Sequence, residues 1–169
     1  MTRKLNDADR RYLQQAVELS YGYREDRRRG PFGAVVVVDG EVAGRGINQV
    51  VELHDPLAHA EVMAIRSACG NLGRHLLEDA VLYSSSEPCP MCLAACYWTC
   101  LPRIVYAAAT EDVADGGLPD LAIYNELKLP AEYRSVREDT DEGGLREEAV
   151  SVLHEWRERY RGGALSPRR

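Results

Sequence analysis

The 169-residue chain contains no apolar run long enough to span a bilayer, and residues 1–11 are polar and charged. Neither a transmembrane segment nor a signal peptide is expected, and a cytoplasmic location follows by default. Cysteine is scarce and odd in number, five in all. In a reducing compartment this excludes a disulfide framework. Positive charge is in deficit, with 21 Lys and Arg against 27 Asp and Glu, a net charge of −6. That balance repels polyanions, so a long nucleic-acid partner is not expected. The one basic cluster, Arg24, Arg27, Arg28 and Arg29, reads as a solvated turn after a helix. No internal repeat is present. The remainder, 45% hydrophobic and 28% charged, has the proportions of a soluble domain, and the length suits one core. We expect a single domain over residues 1–161 and a disordered tail over residues 162–169.

Hydrophobic periodicity divides the chain into alternating elements. Asn6 or Asp7 can cap a helix whose apolar positions Leu13, Ala16, Val17 and Tyr21 recur at helical spacing, with Gly30-Pro31 as its breaker. Residues 34–38 are a continuous β-branched run, and Asp39-Gly40 is a hairpin turn returning through residues 42–47. Pro56 introduces a helix with Val62, Ile65 and Cys69 on one face, ended by residues 71–73. Residues 80–84 read as a buried strand, the following Cys-Pro-Met-Cys opens a helix to about Cys100, and residues 104–108 make a fourth strand. An acidic, Gly-rich loop after Thr110, a short helix over residues 120–127 and an extended stretch over residues 134–137 follow. Residues 145–161 form an amphipathic helix with Ala149, Val152, Leu153, Trp156 and Tyr160 on one face. Strands alternating with helices imply a sheet between helical layers.

The chemistry concentrates in His59-Ala60-Glu61 and Pro88-Cys89-Pro90-Met91-Cys92. One imidazole and two thiols make three zinc ligands, and three leave a fourth position open, which separates a catalytic zinc from a structural one. Each segment opens a helix, where unpaired N–H groups and a partial positive charge favour thiolates. Cys89 and Cys92 lie one turn apart, so their sulfurs can converge on one ion. Glu61, two positions from His59, leaves the helix in another direction and is free to shuttle protons instead of binding metal. Burial would raise its pKa toward the working range.

Cys69, Cys96, Cys100, His54 and His75 are the other donors available to close a structural site. Cys96 and Cys100 continue down the face begun by Cys92, too far along the axis to share an ion with Cys89. They read as small core residues, and His54 and His75 as loop or surface histidines, with His154 on the tail helix. A redox Cys-x-x-Cys would leave His59-Ala60-Glu61 unexplained.

An H-x-E triplet followed by P-C-x-x-C is the pattern of the zinc base deaminases, and the chain resembles the cytidine deaminase-like superfamily over residues 13–126. Within it the chain is most similar to the small bacterial guanine deaminases. The matching residues are Gly30-Pro31-Phe32-Gly33-Ala34, Asn48, Asp55-Pro56, Ala58 to Val62, Glu87 to Leu93, Tyr97-Trp98, Tyr106-Ala107-Ala108, Asp120 and Ile123-Tyr124. The resemblance implies a three-layer α/β/α fold with a mixed central sheet. It implies one zinc per subunit on His59, Cys89 and Cys92, with Glu61 as catalytic acid–base. It also implies a free nucleobase as partner, guanine becoming xanthine and ammonia in a homodimer. By the same similarity Phe32 stacks on the base, Asn48 holds its ring edge, Asp120 accepts its N–H groups, and Ala60 completes the substrate contacts.

Each residue also has a plainer role: core packing for Phe32, a turn for Asn48, a helix cap for Asp120. In the guanine deaminases the C-terminal segment closes the partner's active site. Here the tail after Pro130 departs from that pattern, and its helix either forms such a lid or packs on its own domain. Cytosine, an aminotriazine or guanosine are alternative substrates. A tRNA adenosine deaminase suits the acidic balance poorly, and a non-catalytic zinc-held binding module would need a closed fourth ligand.

Overall fold

In a computed structural model, residues 4–118 and 120–159 are described. The first helix, α1 (Asp7–Ser20), is capped as anticipated: the Asn6 side chain accepts from Asp9 N, and Asp9 reciprocates at the Asn6 N–H. It ends well before Gly30-Pro31, in a 3-10 turn over Tyr21–Arg24. Strands β1 (Gly33–Val38) and β2 (Glu41–Ile47) pair antiparallel across a turn in which Asp39 and Gly40 both have positive φ, 50° and 80°. Two left-handed residues match the twist of the flanking strands. The register slips between Val36 and Val37, a bulge midway along the hairpin.

A short helix α2 (Val50–Leu53), unmarked by periodicity, precedes α3 (Ala60–Leu72). Then come β3 (Ala80–Ser86), α4 (Pro90–Trp98) and β4 (Arg103–Ala108). The sheet order is β2-β1-β3-β4, with β1–β3 antiparallel and β3–β4 parallel. Helix α1 covers one face, where Tyr12, Ala16, Val35, Val37, Tyr83 and Val105 are buried together. Helices α3 and α4 cover the other, around Ala34, Val36, Ala64, Ala68, Leu82 and Cys96. This is the three-layer α/β/α arrangement with a mixed sheet.

The way α3 meets the sheet sets the position of the site. Its buried face is Ala60, Ala64, Ile65 and Ala68; Val62 and Cys69 are only partly buried. Small residues line it because β2 presents Gly44 and Gly46, whose hydrogens point at α3 backbone. A Cβ on Gly46 would lie 2.0 Å from the Ala60 carbonyl oxygen, and one on Gly44 would lie 2.4 Å from that of Ala64. Backbone packs on backbone there. The helix begins at Ala60, not Pro56, because Asp55 Oδ1 takes the Leu57 N–H at 2.8 Å and closes a turn first.

Two further expectations need correction. The acidic stretch after Thr110 is not a loop but helix α5 (Thr110–Asp115). Its free N-terminal donors are satisfied: Asp112 Oδ2 accepts from Ala109 N at 2.8 Å, and Glu87 Oε2 accepts from Thr110 N at 3.0 Å. After α6 (Asp120–Lys128), residues 134–137 form no strand; a 3-10 turn (Ala131–Tyr133) leads into irregular chain held by Ser135 bonds to Glu126. For the last helix, α7 (Gly144–Arg159), a lid and packing on its own domain were both open. No residue of it is buried, and Leu145, Val152 and Leu153 are 60–70% exposed. Tyr160 and residues 162–169 lie outside the described residues. No helix among those described is long and apolar enough to cross a membrane.

Candidate active site

His59 and Cys89 are the N-cap residues of α3 and α4, both extended, so each side chain projects forward off a helix start. Cys92, one turn into α4, is fully buried. The ligating atoms of His59, Cys89 and Cys92 lie within 4.8 Å of one another, the one His/Cys/Asp/Glu group among the described residues able to hold an ion. Cys89 Sγ and His59 Nδ1 are 3.6 Å apart. A tetrahedral zinc with ordinary Zn–S and Zn–N bonds needs an N···S separation of about 3.6 Å. The donors therefore fit a zinc in kind and spacing, with no fourth protein ligand in the group.

The electrostatics agree. Hydrogen bonding from Cys92, then His59, pulls the Cys89 thiol far below its ordinary range, whereas Cys92, donating to that sulfur, is pushed up. His59 is raised, first by its bond to Cys89. Thiolate and neutral imidazole are the forms that ligate, so a bound cation would displace their protons. Cys96 is a buried core thiol, raised to about 12 by burial, and Cys100 is only partly buried. His54, His75 and His154 are exposed and apart from the cluster.

Glu61 is 4% exposed, which raises its carboxyl group above the usual range through desolvation. Ser84, 1% exposed on β3, donates its hydroxyl to Glu61 Oε1 at 3.0 Å. Sequence reasoning missed Ser84. Its signal was a run of three serines closing an apolar strand just before Glu87-Pro88-Cys89, with Ser84 and Leu82 on one face by strand alternation.

A cavity of about 300 Å³ opens beside this cluster. Phe32, Asn48, His59, Glu61, Cys89 and Asp120 all line it, joined by Pro31, Val50, Val51, Ser86, Glu87 and Leu118. Ala60 does not; it is fully buried against β2. Asn48 is held by backbone bonds to both sides, Asn48 N to Phe32 O at 3.1 Å and Gly30 N to Asn48 O at 3.0 Å. Desolvation raises Asp120, with the neighbouring Cys89 thiolate adding to the effect. Apolar walls with a few convergent polar groups suit a small flat ligand.

The family model for the cytidine and deoxycytidylate deaminase zinc-binding region matches residues 6–108. The chain belongs to this family. The zinc-binding region ends at β4, so α5, α6 and α7 lie outside the shared part.

The guanine deaminase of Bacillus subtilis is 47% identical over 125 residues, 74% of this chain and 80% of that one. Its X-ray structure superposes with a TM-score of 0.83 at 42% identity, covering 91% of this chain and 95% of the other. The tRNA-specific adenosine deaminase of Aquifex aeolicus is 38% identical over 100 residues, 59% of this chain and 64% of its own length. The tail after Pro130, dissimilar to the eye, thus falls largely within the structural likeness, since 91% coverage extends past α6.

Proposed function

We propose that the protein deaminates guanine hydrolytically, giving xanthine and ammonia. The observation that supports this best is the extent of its likeness to a guanine deaminase, which runs beyond the zinc core through the segment carrying Asp120. His59, Cys89 and Cys92 would hold the zinc. When bound, a zinc with an open position acts as a Lewis acid that makes water nucleophilic near neutral pH.

The remaining work falls to this chain's own side chains. Guanine enters edge-on, its face against Phe32, with Asn48 on one ring edge and Asp120 accepting N–H groups on the other. Glu61 takes a proton from the attacking water and gives it to a ring nitrogen. It then passes the second proton to the departing amine. A C2–O bond forms and the C2–N bond to the exocyclic amine breaks; guanine and water become xanthine and ammonia. Burial suits Glu61 to this, because a raised carboxyl pKa lets it both accept and donate near neutrality.

The same reading includes one deaminase domain, a homodimer and a cytoplasmic location. The unburied α7, with Leu145, Val152, Leu153 and Trp156 exposed, supports a second copy as its partner. Sedimentation velocity checks this; a monomer at micromolar concentration removes it. Five free thiols and a thiolate metal site fit a reducing compartment.

The deciding assay follows xanthine and ammonia from guanine, beside cytosine, an aminotriazine, guanosine and tRNA. Guanine should be turned over; zinc-loaded protein that leaves guanine untouched refutes the substrate. A tRNA substrate is disfavoured by the arginine turn, where Arg28 pairs with Asp26 at 2.7 Å and Arg29 with Glu52 at 3.0 Å. Glu61→Ala should abolish turnover while zinc remains bound, and loss of the metal instead would refute its role.

A further inference from the structure

We propose that Tyr124 is a positioning residue for substrate selection. Its phenol fastens the helix bearing Asp120 to the peptide immediately preceding Cys89. The proposal rests on the reading of Asp120 as the group that recognises the base.

Helix α6 has almost no hydrophobic purchase. None of its residues is buried, and Leu121, Ile123 and Leu127 are 41–56% exposed. A helix that buries so little apolar surface gains little position from packing. Asp120 and Tyr124 are four residues apart, on one face, and they are among its better-covered side chains. Asp120 lines the cavity, while the Tyr124 hydroxyl donates to the carbonyl oxygen of Pro88 at 2.7 Å. That carbonyl is available because the α4 ladder starts one residue later, with Leu93 N donating to Cys89 O at 2.8 Å.

Glu87 makes the companion attachment. Its Oε2 accepts from Thr110 N at 3.0 Å and Thr110 Oγ1 at 2.8 Å, holding the start of α5. Two consecutive residues, Glu87 and Pro88, thus carry the α5–α6 wall, and the next residue is Cys89. The separation between Asp120 and the metal cluster is set by one helical turn, one hydrogen bond and one peptide link. A base bridging the two must match that span, so Tyr124 determines how well the pocket accepts it.

The test is Tyr124→Phe, which keeps the ring and deletes the bond. The KM for guanine should rise about tenfold, the effect of one lost hydrogen bond, with kcat changing less than about threefold. Zinc content should stay as in the parent protein, and hydrogen exchange should quicken at residues 120–128 but not in α3 or α4. In an Asp120→Asn background the same change should add less than about twofold to KM, because the two act as one unit. An unchanged exchange rate at residues 120–128 overturns the proposal. So does an additive effect, or a fall in kcat at constant KM. If the parent protein ignores guanine but releases ammonia from another amino-heterocycle, the substrate assignment fails, and Tyr124 is judged by that compound's KM and by exchange.

Discussion

Gly46→Ala tests whether backbone contact between β2 and α3 positions the chemistry. The added Cβ would sit 2.0 Å from the Ala60 carbonyl oxygen and 2.4 Å from the Ala64 amide nitrogen. Ordinary contact begins near 3.4 Å, so the first turn of α3 must retreat by about 1 Å or more. No flexible side-chain end is available to absorb the shift at those two atoms. Overpacking of this kind costs about 1–3 kcal/mol, which for a domain of this size lowers the melting temperature by roughly 2–10 °C.

Activity should suffer more than stability, because the displaced turn carries His59 and Glu61. A 1 Å misplacement of reacting groups costs about a hundredfold in rate. Gly70→Ala is the control. It lies on the same helix with nothing within 4 Å of its would-be Cβ, so it should leave activity unchanged and stabilise by about 0.5–1 kcal/mol. Calorimetry and ammonia release on the two variants read both quantities. A Gly46→Ala protein with parental melting temperature and turnover would refute the close-contact account.

Ser84→Ala should lower kcat by about tenfold with little effect on KM or zinc content, because Glu61 Oε1 loses its buried donor; a fall in zinc stoichiometry instead would assign Ser84 to the metal cluster. Buried Asp9 predicts acid sensitivity. Paired with Arg103 at 2.8 Å through both oxygens and accepting from Tyr83, its carboxyl is held down to about 2. A depressed carboxyl stabilises the fold above its unfolded value of about 3.8 and loses that contribution as pH falls toward 2. Arg103 is partly exposed, so the contribution is roughly 1–2 kcal/mol. Asp9→Asn should lower stability at pH 7 and flatten the unfolding curve between pH 4 and about 2; an unaltered slope there removes Asp9 as its source.

The parts of the molecule written in local pattern were legible. Asn6, one of two caps the sequence offered, starts the first helix, Asp39-Gly40 makes a tight hairpin, and the β-branched run before it a strand. His59 and the two cysteines were readable because metal ligation demands specific donors at specific spacing. The misreadings occurred where distant residues decide. The stretch after Thr110 looked like a loop because its composition is acidic and Gly-rich, yet Glu87, far away in sequence, accepts from the Thr110 amide while Asp112 caps that of Ala109. The face of α3 was assigned to Val62, Ile65 and Cys69 on hydrophobicity alone, and only Ile65 is buried. Where the helix meets β2 the face is alanine, at Ala60, Ala64 and Ala68, because Gly44 and Gly46 bring the two backbones into contact.

The sequence by itself determined the order of the four strands and the main helices between them, and the three metal donors, since each depends on residue type and on local spacing. Tertiary structure alone decided that Ser84 faces Glu61, that Asp120 shares a cavity with His59, and that no residue of α7 is buried. Those relations join residues 23 or more positions apart, or depend on how far a helix is covered. Local propensity carries no record of either; only the packing of layers around one sheet creates them.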